Sequence, residues 1–270
     1  MTQLNSSLTV WRKYDEKQTL IRWSAWLAFV ALVVYAWQLM NQDTIWYFVT
    51  DAPNQISDIG SRMWPPRWSY LEHLWLPLWD TLNIATLGTL LGIVMAFPVA
   101  FLAAQNTTPS ALFIRPIALF IIAASRSINS LIWALLLVAI LGPGLLAGII
   151  AIALRSIGFI SKLMYEAIEE VNVTQVSAIR ATGASPLQVL DYGVLPQVMP
   201  SFIGTSLFRW DINIRESTVL GLVGAGGIGL KLQESMAVLA WPQVTVIFCA
   251  ILVTVVISEW VSAKARHALI

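Results

Sequence analysis

The 270-residue sequence is 57% hydrophobic and 11% charged, and its formal net charge is +1. Because soluble domains carry about 25% charged residues, this composition indicates a membrane protein, and the near-neutral charge gives no reason to expect nucleic acid as a partner. The single cysteine, Cys249, and the two histidines, His73 and His267, exclude a disulfide framework within one chain and disfavour a cysteine or histidine metal site. Enzymes that need such sites are disfavoured with them.

Four stretches contain no charged residue, and each is long enough to cross a bilayer, which takes about 20 apolar residues. They are residues 23–42, 81–114, 127–154 and 235–258. The chain is therefore predicted to be an all-α, polytopic membrane protein. The first stretch begins too far into the chain for a cleaved signal peptide and is followed by no small-x-small cleavage site, so we expect it to be retained as a first span at about residues 22–40.

Basic residues flank the first and the last of these stretches. Those before the first are Arg12, Lys13, Lys17 and Arg22, and those after the last are Lys264 and Arg266. Since cytoplasmic flanks are enriched in Lys and Arg, both termini are predicted to lie in the cytoplasm, which requires an even number of spans.

Residues 41–78 are predicted to lie outside the membrane, and this part of the chain is rich in tryptophan. The tryptophans here and just beyond are Trp46, Trp64, Trp68, Trp75 and Trp79. The amphipathic indole is stable in the lipid headgroup layer. We therefore interpret these side chains as anchors against membrane lipid rather than as a ligand cage.

Six spans account for the whole pattern. In chain order they lie at about residues 22–40, 79–104, 111–142, 145–165, 197–222 and 243–262. A straight helix over 111–142 would be about 48 Å long, too long for one upright span, and a polar run from Ser125 to Ser130 interrupts it. A broken helix is therefore expected there, with the break inside the protein, because irregular backbone at membrane depth must be buried or line a wet cavity.

The loop at residues 166–196 is polar enough to lie outside the membrane, and it is predicted to form two short helices. Thr174 is a candidate N-cap of the first helix, and Gly183 fits its C-terminal stop, which needs a left-handed residue. Ser185 and Pro186 form an N-cap and first-turn pair for the second helix. The apolar residues that follow, Leu187, Val189 and Leu190, are predicted to share one side.

This loop carries a resemblance to a known family. Residues 177–183 read SAIRATG and are followed by Leu195-Pro196, a pattern similar to the "EAA" loop of ABC-importer permeases. The matching positions are Ala178, Gly183, Leu195 and Pro196, whereas Ser177 stands where glutamate is usual and Gly193 where isoleucine is usual. The resemblance implies a coupling helix that docks in a cleft of a separate ATPase subunit. The implied coupling residues are Ser177, Ala178, Arg180, Gly183, Ala184, Ser185, Leu195 and Pro196.

A second segment narrows the resemblance. Residues 215–229 read RESTVLGLVGAGGIG, and residues 181–184 read ATGA; both resemble the permeases of phosphonate importers, and the likeness covers about residues 75–265. It implies the type I ABC importer permease fold over 75–265, preceded by a separate segment at 1–74. It also implies a multi-pass protein of the bacterial inner membrane that imports phosphonates by alternating access. The implied partners are a second copy of this chain, two copies of a cytoplasmic ATPase that use ATP and Mg, and a periplasmic phosphonate-binding protein, with no cofactor bound by this chain itself.

The glycines of that segment also match the dinucleotide fingerprint G-x-G-x-x-G, but the context excludes it. The fingerprint needs a βαβ unit and a later acidic residue, whereas here a membrane helix precedes it and residues 235–258 contain no acid. The phosphate-binding P-loop fails as well, because Leu230 stands where its lysine is required. Two interpretations of Gly224, Gly226, Gly227 and Gly229 stay open: a structural turn with close helix approach, and a moving periplasmic gate.

Four arginines fall within predicted spans, where an isolated charge is costly. They are Arg126, Arg155, Arg209 and Arg215, with Asp211 and Glu216 near enough in sequence to neutralise two of them. Structural ion pairing or snorkelling is one interpretation. The other is an anion path, for which the further candidate residues are Ser127, Asn129, Asn213, Ser217 and Thr218.

Two rival functions are compatible with parts of the sequence. A membrane-embedded enzyme would need converging acids or histidines, and the dense acidic cluster of Glu166, Glu169 and Glu170 has no histidine near it in the sequence. The other rival keeps the transporter and changes the cargo to phosphite, phosphate or its esters, methionine or a metal ion. Methionine is disfavoured by the run Glu216-Ser217-Thr218.

Overall fold

The computed structural model describes residues 15–269, so Arg12 and Lys13 of the predicted cytoplasmic flank lie outside it. Internal contacts divide the chain into two units, one ending at Asp58 and the other beginning at Ile59. Within the described residues the chain forms eleven α-helices and no strand.

In chain order, the helices are α1 (Glu16–Asp43), α2 (Trp46–Met63), α3 (Trp75–Ala103), α4 (Ile114–Ser127), α5 (Ser130–Leu141), α6 (Leu145–Glu169), α7 (Val173–Ala181), α8 (Pro186–Val189), α9 (Leu195–Leu220), α10 (Ile228–Ala237) and α11 (Trp241–Leu269). A 3₁₀ turn, Trp68–His73, precedes α3, and a π-helical turn, Leu190–Val194, leads into α9.

A helix occupies each of the six predicted spans, but not all six are apolar. Among the described residues, α1, α3, α6 and α11 are long and apolar enough to cross a membrane, and α4 with α5 form a bent pair that passes the same criterion together. Helix α9 is long enough, at 26 residues, but it carries Arg209, Asp211, Arg215 and Glu216. Its charges, rather than its length, set it apart from the apolar spans.

The break predicted within residues 111–142 is present. Helices α4 and α5 meet at an angle of 90°, and the Asn129 side chain caps α5 by accepting a hydrogen bond from the Leu131 amide at 3.1 Å. On the α4 side, the Ser125 hydroxyl bonds to the Leu154 carbonyl and accepts from the Gly158 amide at 2.9 Å. Ser125 and Asn129 are therefore hydrogen-bonded within the protein, although Arg126, Ser127 and Asn129 are exposed.

A stripe of small residues allows α3 and α6 to pack closely. Gly88, Gly92, Ala96 and Ala100 recur every fourth position and are buried. A Cβ atom added at Gly92 would lie 2.6 Å from the Cβ atom of Ser156, so no larger side chain fits between the two backbones. Small residues at this spacing are the usual means of close helix approach in membranes. The contact fixes the face of α6 that carries Arg155 and Ser156.

Helix α2 falls within residues 41–78, where the sequence pattern predicts no helix. It contains Pro53 and has no buried residue.

Candidate functional site

A cluster of one carboxylate and two arginines joins α9 to α6. The Glu216 carboxylate accepts two hydrogen bonds from the Arg209 guanidinium, at 3.4 and 3.3 Å, and forms an ion pair with Arg155 Nε at 3.4 Å. Two positive groups therefore share one negative group, and the cluster keeps an excess of one positive charge.

The two arginines differ in their exposure. Arg209 is 2% exposed, donates through Nε to the Ser156 hydroxyl at 3.2 Å, and lies over the Phe159 ring at 5.4 Å. The Arg155 side chain is 30% exposed. Arg209 is thus held within the protein, while Arg155 reaches the surface of the same cluster.

Asn213 lies one helical turn from Arg209 and Glu216 on α9, on the same face. Its amide nitrogen donates to the Thr89 hydroxyl at 2.7 Å and to the Ser156 hydroxyl at 3.0 Å. Its side-chain oxygen is buried and has no hydrogen-bond partner in the described structure. The Asn213 side chain is therefore held only through its amide nitrogen. Its unpaired oxygen is costly to bury.

The second pair of charges on α9 faces another helix. Arg215 forms an ion pair with Asp211, and Asp211 also accepts from the Ser258 hydroxyl of α11 at 3.0 Å. Asp211 is nearly buried, and half of the Arg215 side chain is exposed. Asp211 and Glu216 each neutralise an arginine, as their positions in the sequence suggested.

The candidate residues at the helix break are exposed and do not join the Glu216 cluster. Within residues 15–269, Arg126 forms no ion pair, although its stem lies against Gly158. The Ser127 hydroxyl donates to the Ala123 carbonyl at 2.8 Å, and Asn129 caps α5. On α9, the hydroxyls of Ser217 and Thr218 likewise donate to backbone carbonyls, at 2.8 and 2.7 Å.

The glycine-rich segment is tightly packed at the end of α9. Gly224, Gly226 and Gly227 have positive φ angles, and a Cβ atom at Gly227 would lie 2.6 Å from the Thr81 hydroxyl, which accepts from the Ile228 amide at 2.8 Å. A Cβ atom at Gly229 would overlap the Thr218 carbonyl. This packing supports the interpretation as a structural turn with close helix approach, and movement as a gate stays a prediction.

The polar loop at residues 166–196 forms two short helices, as predicted, but the predicted N-cap of the first helix is wrong. Asn172, not Thr174, caps α7, since its side chain accepts from the Thr174 amide at 3.0 Å. Gly183 has φ of +82°, as its predicted role as a left-handed stop requires. Ser185 caps α8, and Gln188 completes a capping box.

A groove of about 740 Å³ runs along the two loop helices. Its lining includes Val173, Ser177, Arg180, Ala184 and Leu187. Leu187 is 79% exposed, whereas Val189 is buried, so the prediction that they share one side is wrong. The short helix α8 places Leu187 and Val189 on different sides. Leu187, together with Val173 of α7, is thus an apolar side chain on the surface.

Gln197 ties this loop to the first turn of α9. Its side-chain oxygen accepts from the Asn172 amide at 2.9 Å, and its side-chain nitrogen donates to the Gly193 carbonyl at 2.7 Å. The start of α7 and the π-helical turn are thus held to the same side chain. Among the other implied coupling residues, Ala178 and Pro196 are exposed and Leu195 is half-buried.

Two members of the acidic cluster considered for an enzyme, Glu166 and Glu169, form separate ion pairs. Glu169 pairs with Arg115 at 3.2 Å and accepts from the Gln105 amide at 2.8 Å, and Glu166 pairs with Lys162. No group of three or more possible metal ligands occurs within residues 15–269.

The sequence matches a family of transport proteins over most of its length. Residues 88–263 match the family described as "Binding-protein-dependent transport system inner membrane component". The chain belongs to this family. It is therefore a multi-pass membrane permease subunit, and membership implies an ATPase, a binding protein and a second permease subunit as partners. The predicted resemblance of the chain to ABC-importer permeases is confirmed, and the coupling role of the loop stays a prediction.

Relatives of this permease are transporter components rather than enzymes. The phosphite transport system permease protein PtxC of Stutzerimonas stutzeri is 40% identical over 211 residues, covering 78% of this chain and 76% of that protein. The phosphate-import permease protein PhnE of Mycolicibacterium smegmatis is 38% identical over 240 residues, covering 89% of this chain but only 44% of that protein. A putative cryptic phosphonate transport system permease protein, PhnE2 of Escherichia coli K12, is 43% identical over 117 residues, covering 43% of this chain and 96% of that protein.

The fold of the permease agrees with solved structures. A chain of the MetNI methionine ABC transporter in an inward-facing conformation superposes with a TM-score of 0.63 at 21% identity, covering 73% of this chain and 96% of that one. The predicted type I importer permease fold is therefore confirmed, and an identity this low says nothing about cargo.

Three polar residues that hold the permease's candidate site were missed from the sequence. They are Thr89, Ser156 and Gln197. Thr89 follows Gly88 in the small-residue stripe, and Ser156 follows Arg155. The sequence feature that could have identified these two residues is a polar side chain next to a closely packed or charged position.

Proposed function

We propose that this permease, paired with a second copy of itself, forms the path by which phosphonates cross the bacterial inner membrane by alternating access. The observation that carries the proposal is the Arg155–Glu216–Arg209 cluster, which holds an excess positive charge between α6 and α9. Both termini lie in the cytoplasm, as Lys264 and Arg266 near the end of α11 favour, and the separate segment at 1–74 precedes the permease core at 75–265.

The cluster suits an anion that must bind and leave. A phosphonate headgroup is an anion, and a low-dielectric path requires compensating cations or donors. Arg155 is the more exposed arginine, so it can turn to an incoming oxyanion while Arg209 keeps both bonds to Glu216. Because Glu216 competes for the same guanidinium, binding stays weak enough for release.

The loop helices are proposed to dock the ATPase. Two copies of a cytoplasmic ATPase bind ATP and Mg, while this chain binds no cofactor, and their closure moves α7 and α8. The exposed apolar side chains of Val173 and Leu187 beside the groove provide the contact surface. A periplasmic binding protein delivers the cargo at the opposite face.

Phosphite is the second candidate cargo. It is favoured by the relative named for phosphite transport, which is 40% identical over 211 residues. Phosphate and its esters share the same oxyanion chemistry, so the cluster would accept them by the same contacts.

The test is uptake by proteoliposomes that contain the permease, its ATPase and its binding protein. Labelled methylphosphonate, phosphite and phosphate are offered in turn to the wild type, to Arg155→Gln, and to the control Arg67→Gln, which alters an exposed arginine outside the predicted spans. We expect Arg155→Gln to lower methylphosphonate uptake at least about tenfold, equivalent to about 1.4 kcal/mol, and the control to leave it unchanged. Normal uptake by Arg155→Gln, in a complex that assembles normally, would remove the cluster from the path; uptake of phosphite alone would transfer the proposal to that cargo.

A further inference from the structure

Helix α2 separates apolar and polar residues onto two faces. At about 100° per residue, six apolar side chains fall within an arc of about 100°: Phe48, Val49, Ala52, Ile56, Ile59 and Met63. The opposite face carries Thr50, Asp51, Asn54, Gln55, Ser57, Asp58, Ser61 and Arg62, with Tyr47 among them and Trp46 at the boundary. The helix is amphipathic along its whole length.

The apolar face of α2 is uncovered. Phe48 is 64% exposed, Val49 51% and Ile56 71%, and no residue of the helix is buried. A continuous apolar strip of this kind is unfavourable in water and marks a surface that meets lipid or protein.

Side chains on the polar face of α2 form hydrogen bonds with one another. The Asp51 carboxylate accepts from the side-chain amides of Asn54 at 3.0 Å and Gln55 at 2.9 Å. These hydrogen bonds lower the pKa of Asp51 below its ordinary value, because they favour the ionised carboxylate.

Both ends of α2 are tied to the ends of membrane spans. Its first residue follows α1 by two residues, so it begins where that span leaves the membrane. At its other end, the Met63 carbonyl accepts from the Thr245 hydroxyl at 3.1 Å, and the Arg67 amide donates to the Pro242 carbonyl at 3.1 Å. Both of these partners lie in the first turns of α11.

In the proposed topology, these two span ends lie on the same membrane surface. With both termini in the cytoplasm, the end of α1 and the start of α11 both lie on the other side of the bilayer. A helix of 18 residues, about 27 Å long, that joins two points on one surface runs along that surface and does not cross the bilayer.

We propose that α2 is an interfacial helix that lies in the plane of the membrane, with its apolar face among lipid headgroups and the adjoining acyl chains. Helices with a charged face, an apolar face and aromatic residues at their ends bind in this way. Trp46 begins the helix and Trp64 follows it, and indoles at both ends suit the headgroup layer. The net charge of the polar face is −1, from Asp51, Asp58 and Arg62, so apolar contact rather than attraction to anionic lipid holds the helix.

The test is spin-label accessibility in the complete transporter, reconstituted into nanodiscs of phosphatidylethanolamine and phosphatidylglycerol. In a Cys249→Ser background, single labels are placed by Ile56→Cys and, as the matched control two positions away on the opposite face, by Asn54→Cys. A third label at Leu27→Cys, which is exposed on α1, reports lipid. Relaxation by oxygen, which concentrates in lipid, is compared with relaxation by Ni-EDDA, which stays in water.

We expect the label at position 56 to match position 27, with oxygen dominating, and the label at position 54 to show the reverse ratio. Equal access of Ni-EDDA to positions 54 and 56 would place the helix in water and overturn the proposal. Exclusion of both reagents at position 56 would overturn it as well, since protein would then cover the face; dipolar coupling between labels would identify the cover as a second copy. None of these outcomes depends on the cargo.

Discussion

Replacing Glu216 by glutamine removes the negative group that Arg155 and Arg209 share. In the native cluster, three charged side chains carry one net positive charge; in Glu216→Gln, the two guanidinium groups face each other with two positive charges and a neutral amide between them. Arg209 cannot turn to solvent, because it is 2% exposed and packed against Phe159.

The cost follows from burial. Removing one partner of a fully buried ion pair destabilises a protein by about 3–5 kcal/mol. Glu216 and Arg155 retain 20% and 30% of their side-chain exposure, so we expect about 2–3 kcal/mol here, after discounting for solvent screening. Adding Arg155→Gln restores the original net charge, and the double variant should recover about 1–2 kcal/mol relative to the sum of the single variants.

Denaturant unfolding of the four proteins in lipid–detergent micelles, followed by tryptophan fluorescence, measures these differences as a double-mutant cycle. The 13 tryptophans give a strong signal, and a tag on the ATPase reports whether the complex still forms. Strict additivity of the two substitutions would refute the reasoning, because it would show that Arg155 and Glu216 do not interact.

Other predictions concern the loop, the helix contact and the remaining arginines. Gly183→Leu should abolish stimulation of ATPase activity by loaded binding protein, because its φ of +82° costs a branched residue about 1–2 kcal/mol, whereas Gly183→Asn should retain most of it; equal activity of the two would contradict a backbone role. Gly92→Leu should lower the yield of folded protein severalfold on size-exclusion chromatography, because its side chain meets Ser156, and a normal yield would show that α3 and α6 can separate freely. Arg126→Gln and Arg215→Gln should each abolish uptake while leaving assembly intact, and normal uptake by both would remove them from the path.

Much of the fold could be predicted because the bilayer imposes strong rules on sequence. Charge-free runs indicate α1, α3, α11 and the first part of α6, and the polar run that ends at Ser130 indicates the bend between α4 and α5. Each of these signals is local in sequence and has one physical explanation.

Two kinds of feature could not be predicted. Some depend on contacts between residues distant in sequence, and α2 is an amphipathic helix too short and too polar to be recognised as a membrane span. Helix α2 has too few apolar residues for a span, so a search for spans passes over it. Gln197 and Thr89 are uncharged and ordinary in sequence, and only folding brings them to Asn172 and Asn213. The predicted cap of α7 was wrong by two residues because Asn172 and Thr174 are both good N-caps.

Gln197 has a mechanical consequence. It joins the start of α7 and the turn before α9 to the first residues of a helix whose cluster residue, Glu216, lies 19 positions further on. At about 1.5 Å per residue that distance is about 29 Å, so tilting α9 as one body by about 6° at the loop displaces Glu216 by about 3 Å. Arg209 lies on α9 as well and moves with Glu216, whereas the 3.4 Å ion pair with Arg155 joins α9 to α6. A tilt of about 6° is therefore enough to open the pair between Glu216 and Arg155, and α9 acts as a lever whose long arm ends at the charged site.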